Sequence, residues 1–163
     1  MNRNVRQMVR AAVIGALYVV LTHLQNLIFP NSASMAIQFR ASEALCVLSF
    51  FTPAAIPGLT VGCLLFNLTF IGSLPLDFLV GTLATLGATA SMRLLRRLPF
   101  LGLLMPALWN AFLVGWELSV YIGGGFWINA LYVAIGEAAV LLTLGTALYY
   151  ALKARNLHTR LFS

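Results

Sequence analysis

Only four acidic side chains occur in the 163 residues: Glu43, Asp77, Glu117 and Glu137. Each lies in a mainly apolar stretch. A carboxylate there is expensive to bury and by default marks a function. Its chemistry is to accept hydrogen bonds from N–H groups or to hold a cation. Arg40 stands three residues before Glu43, and the amides Asn67 and Asn110 lie in other apolar runs. Asn110 and Glu117 are seven apart and share a helix face. Trp109 and Trp116 do the same on an adjacent strip. If Arg40 pairs with Glu43, the carboxylates of Glu117 and Glu137 are left over. A flat heterocycle rich in N–H donors, or a cation, would satisfy them. A carboxylate or phosphate ligand would not.

Nothing in the chain suggests catalysis. It has no HExxH motif, no paired histidines and no serine or cysteine nucleophile constellation. His23 and His158 are isolated. Cys46 and Cys63 both lie in apolar segments without metal-ligand spacing and read as small hydrophobes. No metal, cofactor or nucleic acid is expected. There is no GxxxxGK[ST] phosphate loop and no room for a nucleotide-binding domain.

The elements that hold these residues follow from composition. Hydrophobic residues make up 61% of the chain and charged ones 9%, against about 25% in soluble domains. A water-facing surface cannot be built from so few charges. The expected class is an all-α integral membrane protein, a single domain over 1–163. Nine of the ten basic residues fall in three clusters: Arg3, Arg6 and Arg10; Arg93, Arg96 and Arg97; Lys153, Arg155 and Arg160. Cytoplasmic loops carry excess Lys and Arg, so all three clusters are expected inside, with an even number of crossings between them. Six helices satisfy this, with both termini cytoplasmic, over about 9–29, 41–52, 54–72, 76–95, 102–121 and 126–150. The second is short for a crossing, and parity argues for it over a re-entrant loop. A cleaved signal peptide near Ser34-Met35-Ala36 would break that parity.

In this arrangement Glu43 opens helix 2 on the outer side. Asp77 sits at the start of helix 4, where the helix dipole favours a carboxylate. Glu117 lies near the outer end of helix 5. Glu137 lies about 16 Å into helix 6 at 1.5 Å per residue, close to the bilayer centre. Trp127, Asn129 and Tyr132 open helix 6, where Trp127 reads equally as interfacial belt or as a stacking surface for a ligand. The outer half thus collects the polar groups over an apolar inner half, as a capture pocket would. On helix 1, Ala11/Gly15 and Ala12/Ala16 form two small-xxx-small pairs, which let another helix approach closely.

Several stretches carry a family resemblance. Ile37-Gln38-Phe39-Arg40-Ala41-Ser42-Glu43-Ala44-Leu45 and Phe50-Phe51-Thr52-Pro53-Ala54-Ala55-Ile56-Pro57-Gly58-Leu59 resemble the QueT family. So do Asp77, Gly81-Thr82-Leu83-Ala84-Thr85-Leu86, Asn110-Ala111 and Gly136-Glu137. The resemblance covers about 5–150 and implies a substrate-binding subunit of a prokaryotic energy-coupling factor importer in the cell membrane. It implies an outward pocket for a queuosine precursor and a partner module of a transmembrane scaffold and two cytoplasmic ATPases. It also implies an AxxxA docking motif on helix 1, which carries over onto Ala12 and Ala16. The expected substrate set is Arg40, Glu43, Asn67, Asn110, Trp116, Glu117, Trp127 and Glu137, with Trp109 and Phe39 as further aromatic surfaces and Asp77 structural. A 7-deazaguanine fits that set: one carboxylate accepts its ring N–H and exocyclic amine together, and a second holds the ammonium of an aminomethyl form. The alternatives are a subunit for another vitamin and a self-sufficient small carrier.

Overall fold

The structure is a computed structural model that describes residues 2–30, 32, 39–154 and 156. Ser34-Met35-Ala36, the Ile37-Gln38 part of the family-like stretch, Arg155, His158 and Arg160 lie outside the described residues. Among the described residues six helices follow one another: helix 1 (Arg3–Ile28), helix 2 (Ala41–Phe50), helix 3 (Ala55–Thr69), helix 4 (Asp77–Leu94), helix 5 (Pro99–Tyr121) and helix 6 (Phe126–Ala154). No strand occurs among the described residues. Helix 1 starts well before the expected residue 9. Its first turn is capped by Asn2, whose Oδ1 accepts from the Asn4 N–H at 3.3 Å, and arginine is a good helix former.

Helices 1 and 3 run side by side in the same direction. Their contact is built on glycines: a methyl group at Gly58 would fall 2.6 Å from the Ala11 carbonyl oxygen, and one at Gly15 would fall 2.8 Å from the Gly58 oxygen. Further along, His23 Nε2 lies 3.1 Å from Thr69 Oγ1. Helices 4 and 5 are antiparallel, with the Trp109 ring over Gly87 and its indole N–H donating to Ser91 Oγ at 3.1 Å. Helices 5 and 6 meet at Gly115 and Ala130. The described basic clusters on helices 1, 4 and 6 therefore gather at one end of the bundle, here the basic end, while Arg40 and Asp77 lie toward the opposite end.

Helix 2 is wound as a 3₁₀ helix of 10 residues. At about 2.0 Å per residue it reaches roughly 20 Å, against about 15 Å for an α-helix. The tighter winding lets a short segment traverse the bundle. Both ends are fastened. Gln25 of helix 1 accepts from the Ala41 N–H at 2.6 Å and donates to the Phe39 carbonyl. Arg93 donates to the Phe50 carbonyl at 2.9 Å, and Phe51 stacks on Tyr149 at 5.6 Å. Helix 2 thus runs from the Arg40 end to the basic end and is no re-entrant loop.

The exterior is apolar: Val13, Leu17, Phe100, Phe112 and Ile128 are exposed. The polar side chains are inside, among them Thr22, Gln25, Ser42, Asn67, Asn110 and all four acids. This is the distribution hydrocarbon selects, because lipid offers no hydrogen bonds. Helices 1, 5 and 6 are long and apolar enough to cross a membrane, and helices 2 and 3 are shorter apolar helices. Two apolar clusters bracket the buried polar groups: Val47, Phe50, Leu59, Met92 and Leu103 on one side, Val80, Val114, Leu118 and Val133 on the other.

Candidate functional site

Helix 1 contributes the first polar layer. Tyr18, Thr22 and Gln25 are buried on one face, an i, i+4, i+7 polar stripe in the apolar part of the helix that turns away from lipid. Tyr18 OH donates to Glu43 Oε1 at 2.6 Å. Cys46 Sγ donates to Glu43 Oε2 at 3.1 Å, one 3₁₀ turn further along helix 2. Thr22 Oγ1 donates to the Tyr18 carbonyl at 2.7 Å and accepts from Ser42 Oγ at 2.7 Å. Both oxygens of Glu43 are therefore engaged by the protein itself. Through Tyr18, Glu43 ties helix 2 to helix 1. Cys46 is more than a small hydrophobe here, since its thiol completes that joint. The inward stripe of Tyr18, Thr22 and Gln25 was present in the sequence as polar residues at helical spacing in an apolar run.

Asp77 and Asn67 form the second layer. Asp77 Oδ2 accepts from the Leu74 N–H at 2.7 Å, which ties the turn ahead of helix 4, a structural role. Asn67 Nδ2 donates to the Asp77 carbonyl at 2.8 Å and lies over Gly81, where any side chain would collide with it at 2.7 Å. This fixes the amide and leaves Asn67 Oδ1 buried with no hydrogen-bond partner.

Helices 5 and 6 supply groups of the same kind. Asn110 Nδ2 and Glu137 Oε2 are buried and unpaired, and the Glu117 carboxyl meets the Leu76 backbone. Glu117 is fully buried and faces the Asp77 carboxyl. The guanidinium of Arg40, itself buried, lies within electrostatic range of all four acids. It rests 5.7 Å from the centre of the Phe66 ring, and Phe70 stacks behind Phe66 at 5.2 Å.

The structure brings Arg40, Glu43, Asn67, Asn110, Glu117 and Glu137 into the buried interior. It does not bring Trp116 or Trp127 there. Trp116 is 50% exposed and Trp127 is 76% exposed. Adjacent helix residues point about 100° apart at 3.6 per turn, so turning Glu117 inward turns Trp116 out. Trp127 sits just after the Gly123-Gly124-Gly125 turn and packs edge-on against Phe126 at 4.9 Å, in the manner of an interfacial belt residue. Trp109 is spent on helix packing, and Phe39 is 42% exposed. Asn129 donates to the Gly123 carbonyl at 2.7 Å and holds that turn. The aromatic surfaces beside the acids are Phe66 and Tyr18, which the sequence reading passed over in favour of tryptophans. Among the described residues no cluster of His, Cys, Asp and Glu has the makings of a metal site.

The two small-residue pairs on helix 1 part company. Ala11/Gly15 is consumed against Gly58 and Gly62 inside the bundle. Ala12 and Ala16 are exposed, along a surface groove that Ala11 and Gly15 also line, with Pro57, Val61 and Leu65 of helix 3 opposite.

An apolar exterior around an acid-rich interior defines a multi-pass helical membrane protein. Comparison with known proteins narrows the class: the chain belongs to the QueT transporter family, whose model matches residues 8–154. It is also 39% identical over 79 residues to the queuosine precursor transporter QueT of Lactococcus lactis subsp. cremoris (strain MG1363). That match covers 48% of this chain and 44% of the relative, so it spans less than half the relative's length. No solved structure matches the chain. The bacterial relative and the helices together make this a multi-pass bacterial membrane protein.

Proposed function

We propose that the chain is the substrate-capturing subunit of an energy-coupling factor importer, and that its cargo is a queuosine precursor of the 7-deazaguanine class. One observation carries the reading: three buried, unpaired polar atoms, of which Asn67 Oδ1 and Glu137 Oε2 accept and Asn110 Nδ2 donates, with the Glu117 carboxyl set against a second carboxyl, Asp77. A buried polar atom without a partner costs about 1–3 kcal/mol, so this interior favours a ligand that supplies the partners. The ligand must be rich in donors and carry an acceptor. A 7-deazaguanine has a ring N–H and an amine side by side, a pyrrole N–H, and one carbonyl oxygen. In this reading Glu117 or Glu137 takes the paired ring donors, and the other takes the ammonium of an aminomethyl form. Asn110 donates to the carbonyl oxygen, with Arg40 and Asn67 completing the shell. Glu43 acts by positioning helix 2, and Trp116 and Trp127 stand outside the pocket. The name of the Lactococcus lactis relative agrees with this cargo.

The coupling part rests on helix 1. With Ala11/Gly15 used internally, Ala12 and Ala16 are the pair left to receive a helix of the transmembrane scaffold, which two cytoplasmic ATPases would drive. The gathering of the described basic clusters at one end supports placing that end, and both termini, in the cytoplasm. The test is to purify the chain with and without co-expressed coupling module and titrate it calorimetrically with a panel of deazaguanines. Binding without turnover, together with retention of the ATPases, is expected. Binding of an unrelated vitamin and of no deazaguanine would overturn the cargo, and failure to retain the module would overturn the coupling.

A further inference from the structure

Helix 1 carries a second surface feature, which the transport reading leaves unused. A groove of about 390 Å³ opens between helices 1, 2 and 6, lined by Arg10, Val13, Leu17, Leu45, Leu48 and Leu148 among others. Its floor is branched aliphatic and its one charged wall is Arg10, at the basic end. Arg3, Arg6 and Arg10 are spaced i, i+3, i+7 and share one face of helix 1. That face continues into Val13 and Leu17, about 10 Å further at 1.5 Å per residue. Cationic groups at one end of an apolar trough match a phospholipid, headgroup first. The lining also argues against a partner helix. Close helix docking uses small residues, and here those occupy the neighbouring groove of Ala12 and Ala16. Bulky Val and Leu hold a flexible acyl chain instead.

We infer that this groove is a binding site for one anionic phospholipid, its acyl chain along Val13, Leu17, Leu48 and Leu148 and its phosphate at Arg10 with Arg6 beside it. The site is independent of the proposed cargo. Each arginine near an anionic headgroup contributes about fivefold in affinity.

The test is native mass spectrometry of the full chain in mild detergent, with phosphatidylglycerol or phosphatidylethanolamine titrated in. One phosphatidylglycerol is expected to be retained, in preference to phosphatidylethanolamine. The double variant Arg6→Gln/Arg10→Gln should lose roughly twenty-five-fold for phosphatidylglycerol with little change for phosphatidylethanolamine. Leu17→Trp should lower both lipids by filling the trough, and Arg96→Gln, at the same end but off the groove, should leave binding as in the parent. Thermal melting in the same detergent checks that each variant is folded. Equal loss in Arg96→Gln, or no preference between the lipids in the parent, would overturn the site. So would variants that keep the lipid but lose the coupling module, because the groove would then be a protein interface.

Discussion

At the scale of single residues, the four acids divide by whether the protein already satisfies them. Glu43 has both oxygens bonded, to Tyr18 and Cys46. Glu137 keeps Oε2 unbonded, and Glu117 is set against a second carboxyl, Asp77. Tyr18→Phe removes a donor to a buried carboxyl, and hydrogen bonds to charged groups are worth about 1.5–3 kcal/mol. It should lower the unfolding midpoint in detergent by several degrees while leaving Glu117 and Glu137 in place. Glu117→Gln should do the reverse, holding or raising the midpoint of the ligand-free chain and weakening ligand binding by about ten- to hundredfold. An unchanged midpoint in Tyr18→Phe would remove Glu43 from the role of joint. The presence of buried acids was legible from the sequence, because four carboxyls in so apolar a chain have nowhere else to go. Which of them are already paired was not legible. That depends on Tyr18, a residue 25 positions from Glu43, brought to it by helix packing.

At the scale of elements, five of the six helices could be traced from proline, glycine and charge. The exception in kind was helix 2, whose length could be read but whose 3₁₀ winding could not. Winding is set by the distance between its anchors, Gln25 at one end and Arg93 at the other, and neither is local to the segment. A π turn at Leu141–Gly145 in helix 6 was equally invisible. It lies beside helix 2, with Gly145 against Val47. The exposure of Trp116 and Trp127 was hidden for a related reason: a period of 3.6 assigns relative faces but not which face turns inward. On helix 1, Gly58 packs against Ala11 and Gly15, which supports proposing 12/16 as the docking pair. Gly15→Val and Gly58→Val should each destabilise the chain by about 1–3 kcal/mol or prevent folding, as judged by yield and melting. Ala12→Leu and Ala16→Leu should fold and bind ligand as the parent does, yet abolish ATP-driven uptake by vesicles holding the whole transporter. Loss of ligand binding in the alanine variants would return both pairs to internal packing.

At the scale of the whole molecule, the chain is a lipid-solvated bundle whose polarity is inside out relative to a soluble protein. The inverted pattern was legible because 9% charge leaves no other class open. The orientation proposed for it places Arg96 in the cytoplasm. A cysteine replacing Arg96, in a chain with Cys46 and Cys63 replaced by alanine, should resist an impermeant thiol reagent on intact cells and react after the membrane is opened. Labelling from outside would invert the bundle and put the proposed pocket on the wrong side for uptake. The central claim is that the unpaired interior is a pocket for a donor-rich deazapurine, and calorimetry with 7-aminomethyl-7-deazaguanine and its neutral 7-cyano analogue tests it most directly. One of Glu117→Gln and Glu137→Gln should weaken both compounds at least tenfold, and the other should weaken only the aminomethyl compound. If Glu43→Gln, Glu117→Gln and Glu137→Gln all bind the aminomethyl compound within about threefold of the parent, less than the loss of one charged hydrogen bond, the interior acids are structural and the claim is contradicted.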